Sequence, residues 1–192
     1  MPNSFRFPLR CTDARIEDYR LSATPSPDGD SGIIRLQLEL AGSNVKARNE
    51  AIAVRMTMKG PKGEVVRFTK GFASSGMGEN TIRIEDRDLG PVAKIVPAFT
   101  TGEENPRCTC MVELHTGSNV QTWNPHSPNL YTLCIEVSVD ERAVQAEVSR
   151  VGFRSVSVTA DGQLTVNGYV EFETCNPIHF ISLLSTFIMA FL

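Results

Sequence analysis

The chain has 192 residues, enough for one domain with a proper core, and its 41% hydrophobic and 21% charged residues argue against disorder. A net charge of −3 provides no electrostatic footprint for nucleic acid, so nucleic acid is not an expected partner. The five cysteines are odd in number and irregularly spaced, which argues against a disulfide framework. No apolar run of signal-peptide length occurs in the first residues, and we expect a cytoplasmic, reducing setting.

Period-two alternation of apolar and polar residues predicts strands in the first half of the chain. Residues 1–15 show no periodicity and are predicted as a lead-in, and Ile16–Leu21 is a candidate first strand. Turn-forming residues from Pro25 to Asp30 end it. The next two strands each place four apolar side chains on one face: Ile34, Leu36, Leu38 and Leu40, then Ile52, Val54, Met56 and Met58.

Glycines and prolines predict the turns and loops between the next strands. Gly60–Gly63 is a tight turn, after which Glu64–Thr69 is expected to return as the hairpin partner of the preceding strand. Gly71–Gly78 is predicted as a small-residue loop. Glu85–Cys110 is predicted as a long irregular connection, a length that compact domains keep for functional or extended segments. Two short strands are expected around these segments: Thr81–Ile84 and Met111–Leu114.

The second half of the chain alternates more regularly. Five apolar residues share one face of a long strand, and three further residues are expected to face them from the next strand: Tyr131, Leu133, Ile135, Val137 and Val139, answered by Val144, Ala146 and Val148. A slip in the alternation between Val148 and Val151 predicts a β-bulge. Asp161-Gly162 predicts a hairpin turn between two short strands. About seven short strands therefore predict an all-β, antiparallel β-sandwich.

The last part of the chain has a different composition. Ile178–Leu192 is nearly all apolar, but its fifteen residues fall short of the roughly 17–25 that a membrane helix needs. We expect an unrelated apolar tail here, with a membrane anchor as the alternative.

Three motifs in the second half occur in a fixed order. Trp123 is followed by Pro128 and by Leu130-Tyr131-x-Leu133. Gly152-Phe153-Arg154 ends a later strand, and Leu164-x-Val166-Asn167-Gly168 closes the domain. In this order and spacing the chain resembles the closing half of the immunoglobulin-like β-sandwich of glycoside hydrolase family 2, the β-galactosidase and β-glucuronidase family. Gly-Phe-Arg, where glucuronidase-like members often have Gly-Ile-Arg, favours a β-galactosidase-like member. The resemblance implies an immunoglobulin-like sandwich over residues 16–168 and a divergent tail over 169–192.

Each motif residue has an expected structural role. Trp123 and Tyr131 are expected to cap the core, with the tyrosine hydroxyl bonded to the backbone. Pro128 fixes the approach of the chain to its strand. Gly152 suits a bulge or a close backbone approach. The guanidinium of Arg154 is suited to joining the sandwich to a neighbouring domain.

None of these residues is predicted to be catalytic. Retaining glycosidases use two carboxyl groups about 5–5.5 Å apart. The resemblance implies that both are glutamates on a barrel downstream of Gly168. There the sequence departs from the family, which continues with Lys-Pro and an Arg-Gly…Asn-Arg-His-Glu run, so a truncated fragment is expected. The dipeptide Asn49-Glu50 lies upstream and is predicted to be a surface turn.

No metal or cofactor site is predicted. Cys108, Cys110 and His115 suggest zinc ligands, but a fourth ligand at finger-like spacing is missing. His126 lacks a serine or cysteine partner motif. The glycines from Gly71 to Gly78 fit neither the phosphate-loop nor the dinucleotide pattern.

The expected function is a non-catalytic sandwich fragment of a β-galactosidase-like enzyme, whose parent reaction is retaining hydrolysis of terminal β-galactosides. Its expected partners are the other domains or subunits of that glycosidase, with Glu85–Cys110 as a candidate oligomer contact. Two alternatives are an active glycosidase and a standalone binding or tail-anchored β-sandwich. Turnover of an aryl β-galactoside distinguishes the first alternative, and membrane fractionation distinguishes the second.

Overall fold

The computed structural model describes residues 14–27, 29–42, 52–75, 78–80, 82–87, 90–97 and 107–170. Two sequence predictions lie wholly outside these residues, the turn at Asn49-Glu50 and the apolar tail Ile178–Leu192. So do residues 1–13 of the predicted lead-in 1–15, whose last residue, Arg15, lies in a strand. The chain divides into two compact units between Phe153 and Arg154, a boundary that falls inside the predicted domain 16–168. Within the described residues, no helix is long and apolar enough to cross a membrane.

All regular structure in the described residues is β. In chain order the strands are β1 (Arg15–Pro25), β2 (Gly32–Ala41), β3 (Ile52–Lys59), β4 (Phe68–Ser75), β5 (Gly78–Asn80), β6 (Ile82–Arg87), β7 (Gly90–Ile95), β8 (Arg107–Thr116), β9 (Trp123–Asn124), β10 (Ser127–Pro128), β11 (Tyr131–Val139), β12 (Arg142–Val151), β13 (Val156–Val158), β14 (Leu164–Val166) and β15 (Tyr169–Val170).

Ten of these strands form the two sheets of the first unit. One sheet has the order β1-β2-β8-β4-β5 and the other β12-β11-β3-β7-β6, with every pairing antiparallel. In chain order, β1, β2, β3, β4, β8, β11 and β12 occupy the places of strands A to G of an immunoglobulin domain, with ABED in one sheet and GFC in the other. The predicted all-β antiparallel sandwich is confirmed, and β5, β6 and β7 extend this seven-strand framework.

The core consists mainly of the apolar residues of the strands in which the sequence alternates between apolar and polar residues. The apolar residues of β2, β3 and β11 are buried with those of β8, including Leu38, Met56, Leu114 and Ile135. Their polar neighbours lie on the outer faces because successive side chains of a strand point to opposite sides. The predicted core faces of these strands are therefore confirmed.

The hairpin predicted after Gly60–Gly63 forms only at its first residues, where the Val66 backbone N–H donates to the Met58 carbonyl at 3.0 Å. A single bridge joins Lys59 to Val65, after which the chain crosses over and β4 pairs with β8 in the other sheet. Buried Phe68 begins β4 and places its ring in the core.

The loop predicted at Gly71–Gly78 is wrong, because most of it is strand. A Cβ on Gly71 would lie 2.9 Å from Ile82 and 3.0 Å from Leu114. The small residue at this position therefore allows close packing of β4 rather than a turn. The predicted irregular connection Glu85–Cys110 likewise contains the end of β6, its partner β7 and the beginning of β8.

Strand β12 faces the opposite way from the prediction. Ala146 and Val148 pair with Glu136 and Cys134 and share their outer face. The bulge lies opposite Val137 and Ser138, where Val144 is the extra residue, and not between Val148 and Val151.

The inward face of β12 is polar because β12 is an edge strand beside β1. Gln145 Oε1 accepts a hydrogen bond from the Ile16 backbone N–H at 2.8 Å, and the hydroxyls of Ser149 and Tyr19 lie 2.6 Å apart. These bonds satisfy side chains that would be costly to bury alone, and they close this edge of the sandwich.

Candidate functional site

Four of the predicted motif residues of the first unit meet in one aromatic cluster at the beginning of β11: Trp123, Tyr131, Gly152 and Phe153. The rings of Tyr131 and Phe153 pack edge to face with their centroids 4.9 Å apart, and both are buried. The backbone N–H of Gln121 donates a 2.7 Å hydrogen bond to the Tyr131 hydroxyl. Burial raises the pKa of this hydroxyl, which keeps Tyr131 neutral as a structural group.

Two glycines make room for the aromatic rings. A Cβ on Gly32 would overlap the Cε1 and Cδ1 atoms of Phe153. A Cβ on Gly152 would lie 2.7 Å from the Cβ of Trp123, whose backbone N–H donates a 2.9 Å hydrogen bond to the Phe153 carbonyl. Trp123 therefore lies directly on the backbone at Gly152, as expected for a close approach. The need for Gly32 has no signal in the sequence, because its partner is more than a hundred residues away.

Pro128 and Leu130 follow Trp123 in a short hairpin formed by β9 and β10. The Ser127 backbone N–H donates to Asn124 Oδ1 at 2.7 Å, and Asn129 Nδ2 donates to the Thr122 carbonyl at 3.0 Å. Both Pro128 and Leu130 are exposed. The hairpin is fixed by side-chain amides, and its two apolar motif residues lie on the surface.

The remaining motif residues belong to the second unit. Asn167 and Gly168 have φ of 52° and 81° and form the turn between β14 and β15. Asn167 Oδ1 accepts the Ser155 N–H at 2.9 Å, and the Asn167 N–H donates to the Ser155 carbonyl at 2.8 Å. Arg154 is half-buried, and desolvation lowers its pKa. Each of these contacts is structural.

A charged and aromatic cluster on the outer face of the first sheet was missed by the sequence analysis. Arg35 Nε donates to Glu113 Oε2 at 2.9 Å, and His115 Nε2 lies 2.9 Å from Glu113 Oε1. The His115 ring packs edge to face with Phe72, and Lys70 Nζ lies 4.6 Å from the Phe72 ring centroid. Phe72 was hidden within the segment predicted as a loop.

The electrostatics of this cluster do not suit proton transfer. Desolvation raises the pKa of Glu113, but hydrogen bonds from His115 and Arg35 outweigh it, so the pKa lies below the ordinary value. A general acid of a glycosidase requires the opposite shift. Glu113 therefore stays ionised at neutral pH and holds its neighbours in place.

The structure separates the three zinc ligands considered from the sequence. Cys108 and Cys110 point into the core, whereas His115 lies on the outer face of the same strand. Over the ranges that the structure describes, no group of three or more metal-ligating side chains comes together. His126 lies exposed in the turn between β9 and β10.

An apolar surface in the second unit was also missed. The pairing of β13, β14 and β15 places five side chains on one face of this small sheet: Val156, Val158, Leu164, Val166 and Tyr169. Val158 is 63% exposed and Tyr169 76% exposed, and Val156 is exposed as well, whereas Val166 is buried and Leu164 half-buried. The alternation within each strand was visible in the sequence, but the inclusion of Tyr169 depends on the pairing of β15.

Comparisons with known proteins give a family and a fold. The model of glycosyl hydrolases family 2 matches residues 14–154. The fold is similar to the β-glucuronidase of Parabacteroides merdae, with a TM-score of 0.50 and 16% identity over 82% of this chain and 16% of that one. It is also similar to a calcium-binding mutant of Bacteroides uniformis β-glucuronidase 2, with a TM-score of 0.50 and 12% identity over 78% of this chain and 15% of that one.

The chain thus spans less than a fifth of the length of these two solved structures. No protein of curated function matches it.

Proposed function

The chain belongs to glycosyl hydrolase family 2, and from this premise we propose that its sandwich is a non-catalytic connecting domain of a glycosidase. One observation carries the proposal: the aromatic motif residues of the sandwich are engaged in packing, with Tyr131 and Phe153 in the core and Trp123 against Gly152. A residue that is fully committed to a core cannot also contact a sugar. The role of the domain is then to position its neighbours, through domain packing and oligomer contacts.

The apolar face of β13–β15 is proposed as a surface for a neighbouring domain of the same glycosidase. The face carries no charged side chain, and three of its five residues, Val156, Val158 and Tyr169, are exposed. Contiguous exposed apolar patches typically mark protein interfaces. Arg154, next to this sheet in sequence, is proposed to join the same interface through carboxylates or carbonyls.

This surface makes the isolated chain prone to self-association. We expect Val158→Lys to weaken self-association about tenfold, because burying a valine contributes roughly 1.5 kcal/mol and 1.4 kcal/mol corresponds to a factor of ten. Sedimentation equilibrium of the full chain over a range of concentrations measures this change.

Val148→Lys is the matched control. Val148 is 64% exposed, against 63% for Val158, but it lies on the outer face of β12 in the other unit. We expect its self-association to equal that of the wild type. Equal weakening by both substitutions, or by neither, would contradict a specific surface on β13–β15.

The parent reaction that we propose is retaining hydrolysis of terminal β-galactosides. It is supported by the resemblance of Gly152-Phe153-Arg154 to galactosidase-like members of the family. β-Glucuronides are a second candidate class, since the similar solved structures are named β-glucuronidases. In both cases two carboxyl groups about 5–5.5 Å apart would perform the chemistry.

An assay of the full chain tests the non-catalytic role. We expect no turnover of an aryl β-galactoside or an aryl β-glucuronide above a blank without protein, at protein concentrations in the micromolar range. Turnover that co-purifies with the chain through two chromatographic steps would contradict the proposal. Its substrate preference would then also decide between the two sugar classes.

A further inference from the structure

Two thiols lie in contact inside the sandwich. Cys108 and Cys110 are both buried on the inner face of β8, and their sulfur atoms are 3.4 Å apart. Strand β8 is central in its sheet, pairing with β2 at Leu40 and Leu38 and with β4 at Ser75. The hydrogen bond with Cys108 and then burial raise the pKa of Cys110. The folded chain therefore holds the Cys110 thiol in the protonated form.

The strand geometry opposes a disulfide between these sulfurs. Residues i and i+2 of a strand are about 6.7 Å apart along its axis, and their Cβ atoms point in the same direction. A disulfide requires Cβ atoms about 3.5–4.5 Å apart. Closing the bond would therefore shorten β8 locally. It would pull the backbone out of its pairing with β2 and β4.

The unfolded chain has no such restriction. With β8 unpaired, rotation about the backbone of Thr109 brings the two Cβ atoms together, and solvent reaches both sulfurs. We propose that Cys108 and Cys110 are a thiol oxidation site coupled to unfolding: the folded sandwich keeps the pair reduced, and the unfolded chain accepts a disulfide that prevents refolding.

The co-reactant is a low-molecular-weight disulfide. One cysteine thiolate attacks it, forming a mixed disulfide and releasing one thiol, and the second cysteine thiolate then displaces the other thiol. The Cys108–Cys110 bond forms and the reagent's S–S bond breaks. Two electrons pass from the cysteines to the reagent, whose two thiols take up the two protons.

The test uses a chain that retains only this pair, the variant C11S/C134S/C175S, treated with glutathione disulfide across a urea series. We expect oxidation of the folded protein to be at least about a hundredfold slower than that of the unfolded protein, because only the open population reacts. Mass spectrometry follows the loss of two hydrogens from the peptide that contains both residues. Oxidised protein is expected to remain unfolded on removing urea and to refold after adding dithiothreitol.

The control adds C108A/C110A to the variant C11S/C134S/C175S. We expect this control to refold both with and without treatment with glutathione disulfide. If the triple variant does not fold, the wild-type chain with differential alkylation and peptide mapping supplies the same rates. Rapid disulfide formation at zero urea with an unchanged unfolding midpoint would overturn the proposal. Refolding of the oxidised pair without reductant would overturn it as well.

Discussion

Replacing Phe153 with alanine is expected to destabilise the sandwich by about 3–5 kcal/mol, the range for truncating a buried phenylalanine. The ring is fully buried, packs edge to face on Tyr131 at 4.9 Å and lies over Gly32. Its removal leaves a cavity that the surrounding strands cannot fill without moving. Urea unfolding measures the loss, and the fluorescence of Trp123, the single tryptophan of the chain, reports on the same cluster.

Phe72→Ala is the matched control for this prediction. The Phe72 ring is 49% exposed on the outer face of β4, where it contacts His115 and Lys70. Because little apolar surface returns to water, we expect a loss of about 1 kcal/mol or less. If both substitutions cost the same, Phe153 is not the packing centre of the cluster.

Replacing Gly152 with alanine is expected to cost about 1–3 kcal/mol, the usual range for an overpacked site, although the change adds only one methyl group. The new Cβ would lie 2.7 Å from the Trp123 Cβ. A Cβ atom moves only with its backbone, so no rotamer change relieves this clash. The 2.9 Å hydrogen bond from Trp123 N–H to the Phe153 carbonyl also holds the two segments together. Thermal and urea unfolding measure the change.

Gly117→Ala controls for the general effect of adding a methyl group to a glycine. The atoms nearest to its added Cβ, the Arg67 carbonyl and a Thr69 methyl, lie at 3.8 Å, an ordinary contact distance. We expect a change within about 0.5 kcal/mol. A stability of Gly152→Ala equal to that of Gly117→Ala would show that the Trp123 segment moves away freely.

The two substitutions test one idea about the family motifs. One cluster joins Trp123 to Gly152 and Phe153, which lie about thirty residues later in the chain and differ from it in chemical type. A motif of this kind marks a particular place in the fold, because the space left by each residue's neighbours restricts which side chain fits there. We therefore expect a substitution in the cluster to act directly on the free energy of unfolding. Any loss of function in a larger enzyme would then be a consequence of that instability.

The fold class and the buried faces of the most regular strands follow from local patterns in the sequence. In β2, β3 and β11 every second residue is apolar, and a period of two specifies which side is buried whatever the partner strand is. The motif order likewise placed Trp123, Tyr131 and Phe153 near the end of a sandwich. Strand faces and motif order can be predicted because they depend on nearby residues or on spacing along the chain, and not on contacts between distant residues.

Other features depend on which strands lie next to one another, and these features are visible only in the folded chain. Gly71 looks like a loop residue, but Ile82 and Leu114 leave it no space for a side chain. Val148 alternates like a core residue, but a bulge at Val144 turns it outward, and the edge position of β12 gives Gln145 a backbone partner inside. Sheet membership, bulges and edges arise from long-range pairing, which a local pattern does not contain.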